Sequence, residues 1–225
     1  MKPQLIVALD VDSFAQAKKL VDKLYPYVKI FKVGSQLFTA CGLKVVDYVN
    51  KKGAKVFLDL KFHDIPNTVG NAVASAARLG VFMLTVHAQG GVEMLKAARV
   101  AAQRSAKQAR VSRPIIVAVT VLTSQMFENL HQRVLDLADD AYTAGLDGVV
   151  ASVEEAGDIR KVFKKDFVII TPGIRPQGSQ AADQKRVATP GAAIRSGSDF
   201  LVVGRPIVEA EDQLAAAKQI LKEMK

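Results

Sequence analysis

The sequence is short of several residue types and patterns, and each shortage excludes a class of protein. It has one cysteine, Cys41, among 225 residues, so neither a disulfide framework nor a multi-cysteine metal site can form. Its longest apolar runs, such as residues 115–119, are far below the roughly 20 residues of a membrane helix. The first acid, Asp10, ends an apolar run too short for a secretory signal. We therefore predict a cytoplasmic protein with no membrane partner.

Aromatic residues are also scarce, while positive charge is in excess. There are 10 Phe, 4 Tyr and no Trp, so a platform for stacking nucleic-acid bases is poorly supplied. The 31 basic and 22 acidic side chains leave a formal net charge of +9, which suits an anionic partner. The basic residues are dispersed rather than clustered, so a phosphorylated small molecule is favoured over nucleic acid. A basic barrel that binds RNA without catalysis remains the alternative from another class.

Short apolar runs alternate with helical patterns along the whole chain. Eight runs rich in Val, Ile, Leu and Phe start about 20 to 33 residues apart, which is typical of parallel strands buried on both faces; they are residues 5–9, 29–33, 55–60, 82–86, 115–121, 148–151, 167–171 and 200–203. Ser13 with Gln16, and Ser152 with Glu155, have the spacing of helix capping boxes. The last stretch has an amphipathic helical pattern, with Leu214, Ala217, Leu221 and Met224 on one face.

Eight strands alternating with helices predict a (β/α)8 TIM barrel, formed as a single domain by residues 1–225. A doubly wound open sheet is the alternative. It would usually have fewer strands, and the dinucleotide fingerprint Gly-x-Gly-x-x-Gly is missing after the first run, residues 5–9. The barrel is therefore the favoured fold.

Polar side chains end most of the predicted strands, at the end of a barrel where active sites lie. They are Asp10, Lys32, Asp59, Lys61, His87, Thr120, Thr123, Arg175 and Arg205. Because side chains alternate along a strand, Asp59 and Lys61 should project to one side and Leu60 to the other. Alone, the pair could be a structural ion pair. Asp64 three residues later and Lys32 on the neighbouring strand favour a functional site.

Residues 59–68, Asp-Leu-Lys-Phe-His-Asp-Ile-Pro-Asn-Thr, resemble the signature of the orotidine 5′-monophosphate decarboxylase family, which performs the last step of de novo UMP synthesis. Other blocks of that family occur in the same order and cover nearly the whole chain: Leu9-Asp10, Phe31-Lys-Val-Gly34, Val119-Thr-Val-Leu-Thr-Ser124, Thr171-Pro-Gly-Ile-Arg175 and Val203-Gly-Arg-Pro206. The spacing Asp-x-Lys-x-x-Asp is shared with metal-dependent sugar-phosphate decarboxylases, which remain an alternative. The continuation from His63 to Thr68 favours the orotidylate branch.

The resemblance implies conversion of orotidine 5′-monophosphate to UMP and CO2. Lys61 would protonate C6 of the pyrimidine, Asp59 would lie against the departing carboxylate, and Lys32 and Asp64 would complete an array of alternating charges. The implied substrate-binding residues are Asp10 and Lys32 for the ribose, Thr123 for the pyrimidine edge, and Arg175, Gln184, Gly204 and Arg205 for the phosphate side. The resemblance also implies a homodimer, with Asp64, Ile65 and Thr68 reaching the partner's site, and neither metal nor organic cofactor.

The chemistry of these residue types agrees with that assignment. Loss of CO2 from C6 leaves a carbanion without an adjacent electron sink, so a fixed cation is the available stabiliser. A lysine supplies both charge and proton, and neighbouring carboxylates favour its protonated form. The polar segment 175–190 is interpreted as a lid that closes on the phosphate. The three histidines lack metal-ligand spacing: His63 is interpreted as structural, His87 as a hydrogen-bonding residue of the cavity wall and His131 as a helix-surface residue.

Overall fold

The computed structural model describes residues 2–121, 129–163, 165–176 and 188–225. Within them, eight parallel strands pair in sequence order, and the last strand pairs with the first to close a barrel. The strands are β1 (Gln4–Ala8), β2 (Ile30–Gly34), β3 (Lys55–Phe62), β4 (Met83–His87), β5 (Ile115–Val119), β6 (Gly148–Val150), β7 (Val168–Thr171) and β8 (Phe200–Val203). The predicted (β/α)8 barrel is confirmed, and every predicted apolar run overlaps one strand.

Helices connect the strands and cover the outside of the barrel. They are α1 (Phe14–Leu24), α2 (Ser35–Cys41), α3 (Leu43–Lys51), α4 (Pro66–Arg78), α5 (Gly91–Ala109), α6 (Leu130–Thr143), α7 (Val153–Val162), α8 (Pro190–Arg195), α9 (Arg205–Val208) and α10 (Gln213–Glu223), with a 3-10 turn at Ala88–Gly90. In the described ranges, no helix combines the length and the apolarity needed to span a bilayer.

Two helix starts show the capping predicted from the sequence. The Ser13 hydroxyl accepts a hydrogen bond from the backbone N–H of Gln16, while the Gln16 side chain accepts one from the N–H of Asp12. At α7 both bonds of a capping box are present, because Glu155 Oε2 accepts from the N–H of Ser152 and the Ser152 hydroxyl satisfies the third residue of the helix. These bonds fill donors that the first helical turn leaves without partners.

The alternation of side chains along each strand separates two apolar layers. One fills the inside of the barrel and includes Ile6, Ile30, Phe57, Met83 and Phe200. The other lies between the strands and the helices and is much larger. On β3 and β4 the interior positions after Phe57 and Met83 are polar, so the apolar filling ends before the carboxyl ends of these strands. The fold thus places polar side chains at one mouth of the barrel.

Candidate active site

A cavity of about 580 Å³ opens at the carboxyl ends of the strands. Its floor is apolar, with Phe57, Ile170 and Val202 from the barrel interior. Its polar wall contains Asp10, Lys32, Gln36, Asp59, Lys61, Ser152, Arg175, Arg205 and Glu209. Active sites of this barrel class lie at the same end of the strands. The volume falls within the range of roughly 300 to 1,000 Å³ that is usual for small-molecule sites.

Four charged side chains of alternating sign form a continuous chain on one wall of this cavity. Lys32 Nζ lies 2.9 Å from Asp10 Oδ1 and 3.6 Å from Asp59 Oδ2. Lys61 Nζ lies 2.8 Å from the same oxygen of Asp59. The Asp59 residue is only 8% exposed, so its charge is held largely out of water between two ammonium groups. Such a group of opposite charges is typical of a functional site.

The backbone at Lys61 is strained. Lys61 has a φ of 52°, in the left-handed region that residues with a Cβ seldom adopt. The register explains this conformation: Leu58 pairs with Leu84 and Phe62 pairs with Val86, so β3 has two more residues than β4 between these pairs. A conformation of this kind costs on the order of 1–3 kcal/mol and persists where its surroundings impose it. Asp59 and Lys61 therefore meet through a bulge rather than through the regular alternation predicted from the sequence.

Thr85 is a site residue that the sequence analysis missed. Its hydroxyl accepts a hydrogen bond of 2.8 Å from the backbone N–H of Lys61 and donates one of 3.0 Å to Asp59 Oδ1. The residue is completely buried under the cavity. It lies inside an apolar run, and its only signal in the sequence is a hydroxyl at the interior position two residues before His87.

Two glycines allow the charged side chains to approach the backbone closely. A Cβ at Gly34 would lie 3.0 Å from Lys32 Nζ. A Cβ at Gly204 would lie 3.4 Å from Asp10 Oδ2 and 3.5 Å from the Cβ of Ala8. A methyl group at Gly34 would therefore push the Lys32 ammonium aside, whereas one at Gly204 would make ordinary van der Waals contact with Asp10.

The side of the cavity formed by β7 and β8 carries two guanidinium groups. Arg175 follows β7, and Arg205 begins α9 directly after Gly204. The Arg175 Nε is buried and has no hydrogen-bond partner among the described residues. Two guanidinium groups beside a cavity suit an anionic ligand, since a guanidinium matches phosphate oxygens in shape and charge.

Two predicted site residues, Thr123 and Gln184, lie outside the described residues, as do residues 177–187 of the predicted lid. The flanks of that segment are paired. The backbone N–H of Arg175 donates to the carbonyl of Ala188, and the N–H of Ala188 donates to that of Gly173. Arg175 and Ala188, the described flanks, therefore lie side by side.

Three further predicted residues lie near the cavity wall but do not line the cavity of this chain. Asp64, Ile65 and Thr68 are exposed, and the Ile65 side chain is 65% exposed. Asp64 Oδ1 accepts a hydrogen bond of 2.6 Å from the backbone N–H of Ile65, just before α4 begins. The charge chain within this subunit therefore consists of Asp10, Lys32, Asp59 and Lys61, without Asp64.

Two histidines stack beside Lys61. The rings of His63 and His87 lie 5.2 Å apart and are inclined by 24°. Burial lowers the pKa of His87 below its ordinary value, and the charges of His63 and Lys61 lower it further. The Nδ1 atom of His87 is buried without a hydrogen-bond partner in the described part of the chain. The stack lies directly after the strained lysine.

The described residues include no group of three or more His, Cys, Asp or Glu side chains that could hold a metal ion. What they do provide is a wall of fixed charges on one side of an apolar floor and guanidinium groups on the other. A closed parallel barrel with such a cavity has the architecture of (β/α)8 enzymes, with lysine and aspartate side chains at the end of the strands where active sites of that class lie.

Comparison with known proteins identifies the family. The sequence model described as the "Orotidine 5′-phosphate decarboxylase / HUMPS family" matches residues 3–220, and the chain belongs to this family. It is 49% identical over 233 residues to the orotidine 5′-phosphate decarboxylase of Moorella thermoacetica, covering 99% of this chain and 92% of that protein. It is 48% identical over 217 residues to the enzyme of that name from Vibrio cholerae, covering 92% of each.

A solved structure shows the same architecture. The crystal structure of orotidine 5′-phosphate decarboxylase from Lactobacillus acidophilus superposes with a TM-score of 0.87 and 39% sequence identity. The match covers 99% of both chains. The similarity therefore extends over the whole barrel and is not confined to the signature at residues 59–68.

Proposed function

We propose that the protein decarboxylates orotidine 5′-monophosphate to UMP and CO2 in pyrimidine biosynthesis. The observation that carries this proposal is the contact of Asp59 with both Lys61 and Lys32 at the wall of the cavity. The relatives named orotidine 5′-phosphate decarboxylase support the same substrate. We infer that the closed barrel acts as one catalytic domain, since the family match spans residues 3–220, and that it works in the cytoplasm.

Lys61 is the proposed proton donor. As the bond between C6 and the carboxylate breaks, its electron pair stays on C6 and CO2 leaves. The ammonium of Lys61 stabilises this developing charge and then transfers a proton to C6, which leaves a neutral amine that takes a proton from solvent. About two fifths of the Lys61 side chain is exposed, on the cavity side of Asp59, so Nζ is accessible to a bound pyrimidine.

Asp59 and its neighbours are the proposed supports of that step. The Asp59 carboxylate would lie near the substrate carboxylate, where its charge disfavours the bound substrate relative to the transition state. Asp10 and Lys32, which lie 2.9 Å apart, would bind ribose hydroxyl groups. Because these charged groups are already fixed in place, no free energy is needed to reorient them during the reaction, which is the general advantage of a preorganised site.

The phosphate is proposed to bind at the opposite side of the cavity. Gly204 leaves space for close approach of the ligand to the backbone, and Arg175 and Arg205 offer forked donors. Thr123 at the pyrimidine edge and Gln184 near the phosphate complete the proposed set, with the segment around Gln184 as the proposed lid. Binding energy from the phosphate can then contribute to lowering the barrier at C6.

We propose a homodimer in which Asp64, Ile65 and Thr68 enter the partner's site. Exposed apolar surface next to these residues supports this. Ile65 and Val100 are 65% and 56% exposed, and a groove of about 380 Å³ between α4 and α5 is lined by small residues such as Ala74 and Ala101. Since Asp64 lies outside the charge chain of its own subunit, its carboxylate is available to a neighbouring one.

The experiment that tests the reaction is the ultraviolet absorbance of orotidine 5′-monophosphate mixed with purified protein in EDTA. Catalytic loss of the orotate absorbance, with UMP and CO2 as products, is expected and would also show that no divalent metal is required. An unchanged spectrum with folded protein would contradict the proposal. Sugar-phosphate acids with Mg²⁺ would then be tested, because the metal-dependent decarboxylases share the Asp59, Lys61 and Asp64 spacing.

A further inference from the structure

We propose that Thr85 is a positioning residue for the decarboxylation, acting through Asp59 and Lys61; this inference rests on the proposed function. Thr85 is completely buried and does not line the cavity, so substrate does not touch it. Its hydroxyl nevertheless contacts both residues of the central ion pair. It therefore influences the reaction only by fixing where these two residues lie.

The hydrogen bond from the Lys61 N–H to Thr85 takes the place of a backbone hydrogen bond between β3 and β4 that is missing at this point. Two extra residues of β3 lie between the pairs Leu58–Leu84 and Phe62–Val86, so the bulge interrupts the ladder at Lys61. The Lys61 N–H donates to the Thr85 hydroxyl at 2.8 Å. A buried N–H without an acceptor is strongly unfavourable, so this hydroxyl helps to hold the left-handed backbone at Lys61.

The second contact fixes the orientation of the Asp59 carboxylate. Thr85 donates to Oδ1 at 3.0 Å, while Oδ2 faces Lys61 at 2.8 Å and Lys32 at 3.6 Å. The carboxylate torsion of aspartate is soft, so a donor at one oxygen restrains the direction of the other. The two oxygens thus have separate partners: one is anchored in the barrel wall, and the other faces the ammonium groups.

A hydroxyl is suited to both contacts at once. It has one hydrogen to donate and lone pairs to accept. The lone pair receives the Lys61 N–H, and the hydrogen is left for Asp59. Valine has nearly the same shape and can do neither, whereas serine keeps the hydroxyl and loses only a methyl group. This pair of substitutions separates hydrogen bonding from volume.

The test compares Thr85→Val and Thr85→Ser in steady-state decarboxylation and in UMP binding. For Thr85→Val we expect kcat to fall about 10- to 100-fold, the loss for removing a hydrogen bond to a charged group. UMP affinity should change by less than about threefold, because UMP has no carboxylate at C6 and the lost interaction matters chiefly in the transition state. Thr85→Ser should keep kcat within about threefold of the unaltered protein, since its hydroxyl remains.

Thr171→Val is the matched control. Thr171 and Ser198 form a buried hydroxyl pair 2.6 Å apart that does not line the cavity. This variant should lower the melting temperature but leave kcat unchanged. Equal kcat in Thr85→Val and the unaltered protein, or equal impairment of Thr85→Val and Thr85→Ser, would overturn the proposal. If Thr85→Val does not fold, Thr85→Cys replaces it, because a thiol of similar size donates only weakly; a Cys variant as active as the Ser variant would likewise overturn it.

Amide hydrogen exchange of the segment around Lys61 gives a readout that needs no turnover. Exchange there should accelerate in Thr85→Val and not in Thr171→Val, because only the former removes the acceptor of the Lys61 N–H. Unchanged exchange would overturn the inference whatever the activity. If the unaltered protein left orotidine 5′-monophosphate intact, the proposed function would fail by itself, and the exchange result would still decide the role of Thr85.

Discussion

The two ends of the barrel treat charge in different ways. At the amino ends of the strands, Asp147 accepts two hydrogen bonds of 2.7 Å from Arg113 and one of 2.8 Å from the backbone N–H of Ile116. Asp199 accepts bonds from Arg160 and from the N–H of Ile169 in the same manner. Each clamp joins one carboxylate, one guanidinium and one amide of a neighbouring strand. Charges at this end of the barrel therefore stabilise the pairing of strands.

At the carboxyl ends of the strands, some polar atoms of the described residues lack such hydrogen-bond partners. Asp59 Oδ2 is shared by two ammonium groups, Lys61 has a left-handed backbone, and the buried Nδ1 of His87 and Nε of Arg175 have no hydrogen-bond partner there. Strain and unpaired polar atoms are tolerated at one end because the other end and the apolar layers hold the barrel together. Charged groups therefore stabilise the fold at the amino ends of the strands and form the candidate site at the carboxyl ends of the same strands.

The largest effect is expected at the strained lysine. Lys61→Ala should lower kcat by at least about 10⁴-fold, since it removes both the proposed proton donor and the fixed cation. Lys61→Gly should be equally inactive but more stable than Lys61→Ala by about 1 kcal/mol, because glycine adopts a φ of 52° without strain. Steady-state assays measure the loss of kcat, UMP binding shows that the site is intact, and urea denaturation measures the difference in stability. Near-wild-type turnover in either variant would end the assignment of Lys61.

At the clamp of Asp199 and Arg160, at the amino ends of the strands, we expect a loss of stability without a loss of kcat. Asp199→Ala should lower the free energy of unfolding by about 1.5–3 kcal/mol, because the partly buried Arg160 guanidinium and a strand amide both lose a charged acceptor. The kcat of the folded fraction should not change. Asp158→Ala, which removes an exposed carboxylate near Lys161, should leave the free energy of unfolding nearly unchanged. A large loss of kcat in Asp199→Ala would remove the distinction between the two ends.

Replacing a glycine by alanine at either end of the barrel compares the two ends by adding a single methyl group. A Cβ at Gly148, at the start of β6, would lie 2.1 Å from the carbonyl oxygen of Val168, so Gly148→Ala should destabilise the protein by about 1–3 kcal/mol. Gly34→Ala would press on the flexible end of Lys32 at 3.0 Å and contact Asp10 Oδ1 at 3.6 Å, and should lower kcat about tenfold or more with little loss of stability. Chemical denaturation and steady-state kinetics of both variants test this. Equal stability loss in both would contradict it.

The smallest effect concerns pH. Burial lowers the pKa of His87 in the folded protein, so the unfolded chain binds this proton more readily. The stability contributed by neutral His87 is fully present above its ordinary pKa of 6.5 and is lost as the pH falls through its lower folded pKa. Between pH 7.5 and 5, the melting temperature of the unaltered protein should therefore decrease more than that of His87→Gln. His131→Gln, at an exposed position, is the control and should follow the unaltered protein.

Much of this architecture could be predicted because it depends on local patterns. The eight strands overlap the eight predicted apolar runs, and the capping of α1 and α7 follows from residues three apart. The contact of Asp59 with Lys61 was expected from their spacing on one strand. Its geometry was not, because a bulge depends on how β3 fits against β4, a relation between segments about 25 residues apart in the sequence.

Thr85 and the two arginine clamps were beyond sequence reasoning for the same reason. A lone threonine in an apolar run has the same pattern whether its hydroxyl is satisfied within its own strand or by a lysine amide on the next one. In the sequence, Arg113 and Arg160 cannot be distinguished from ordinary surface arginines. Only the fold shows that they pair with Asp147 and Asp199. The sequence by itself determined the strand order and which residue types reach the mouth of the barrel, because periodicity and residue chemistry are local. Only the tertiary structure decided which charges meet, how Lys61 is strained and which hydroxyl holds it, because closure of the barrel sets those distances.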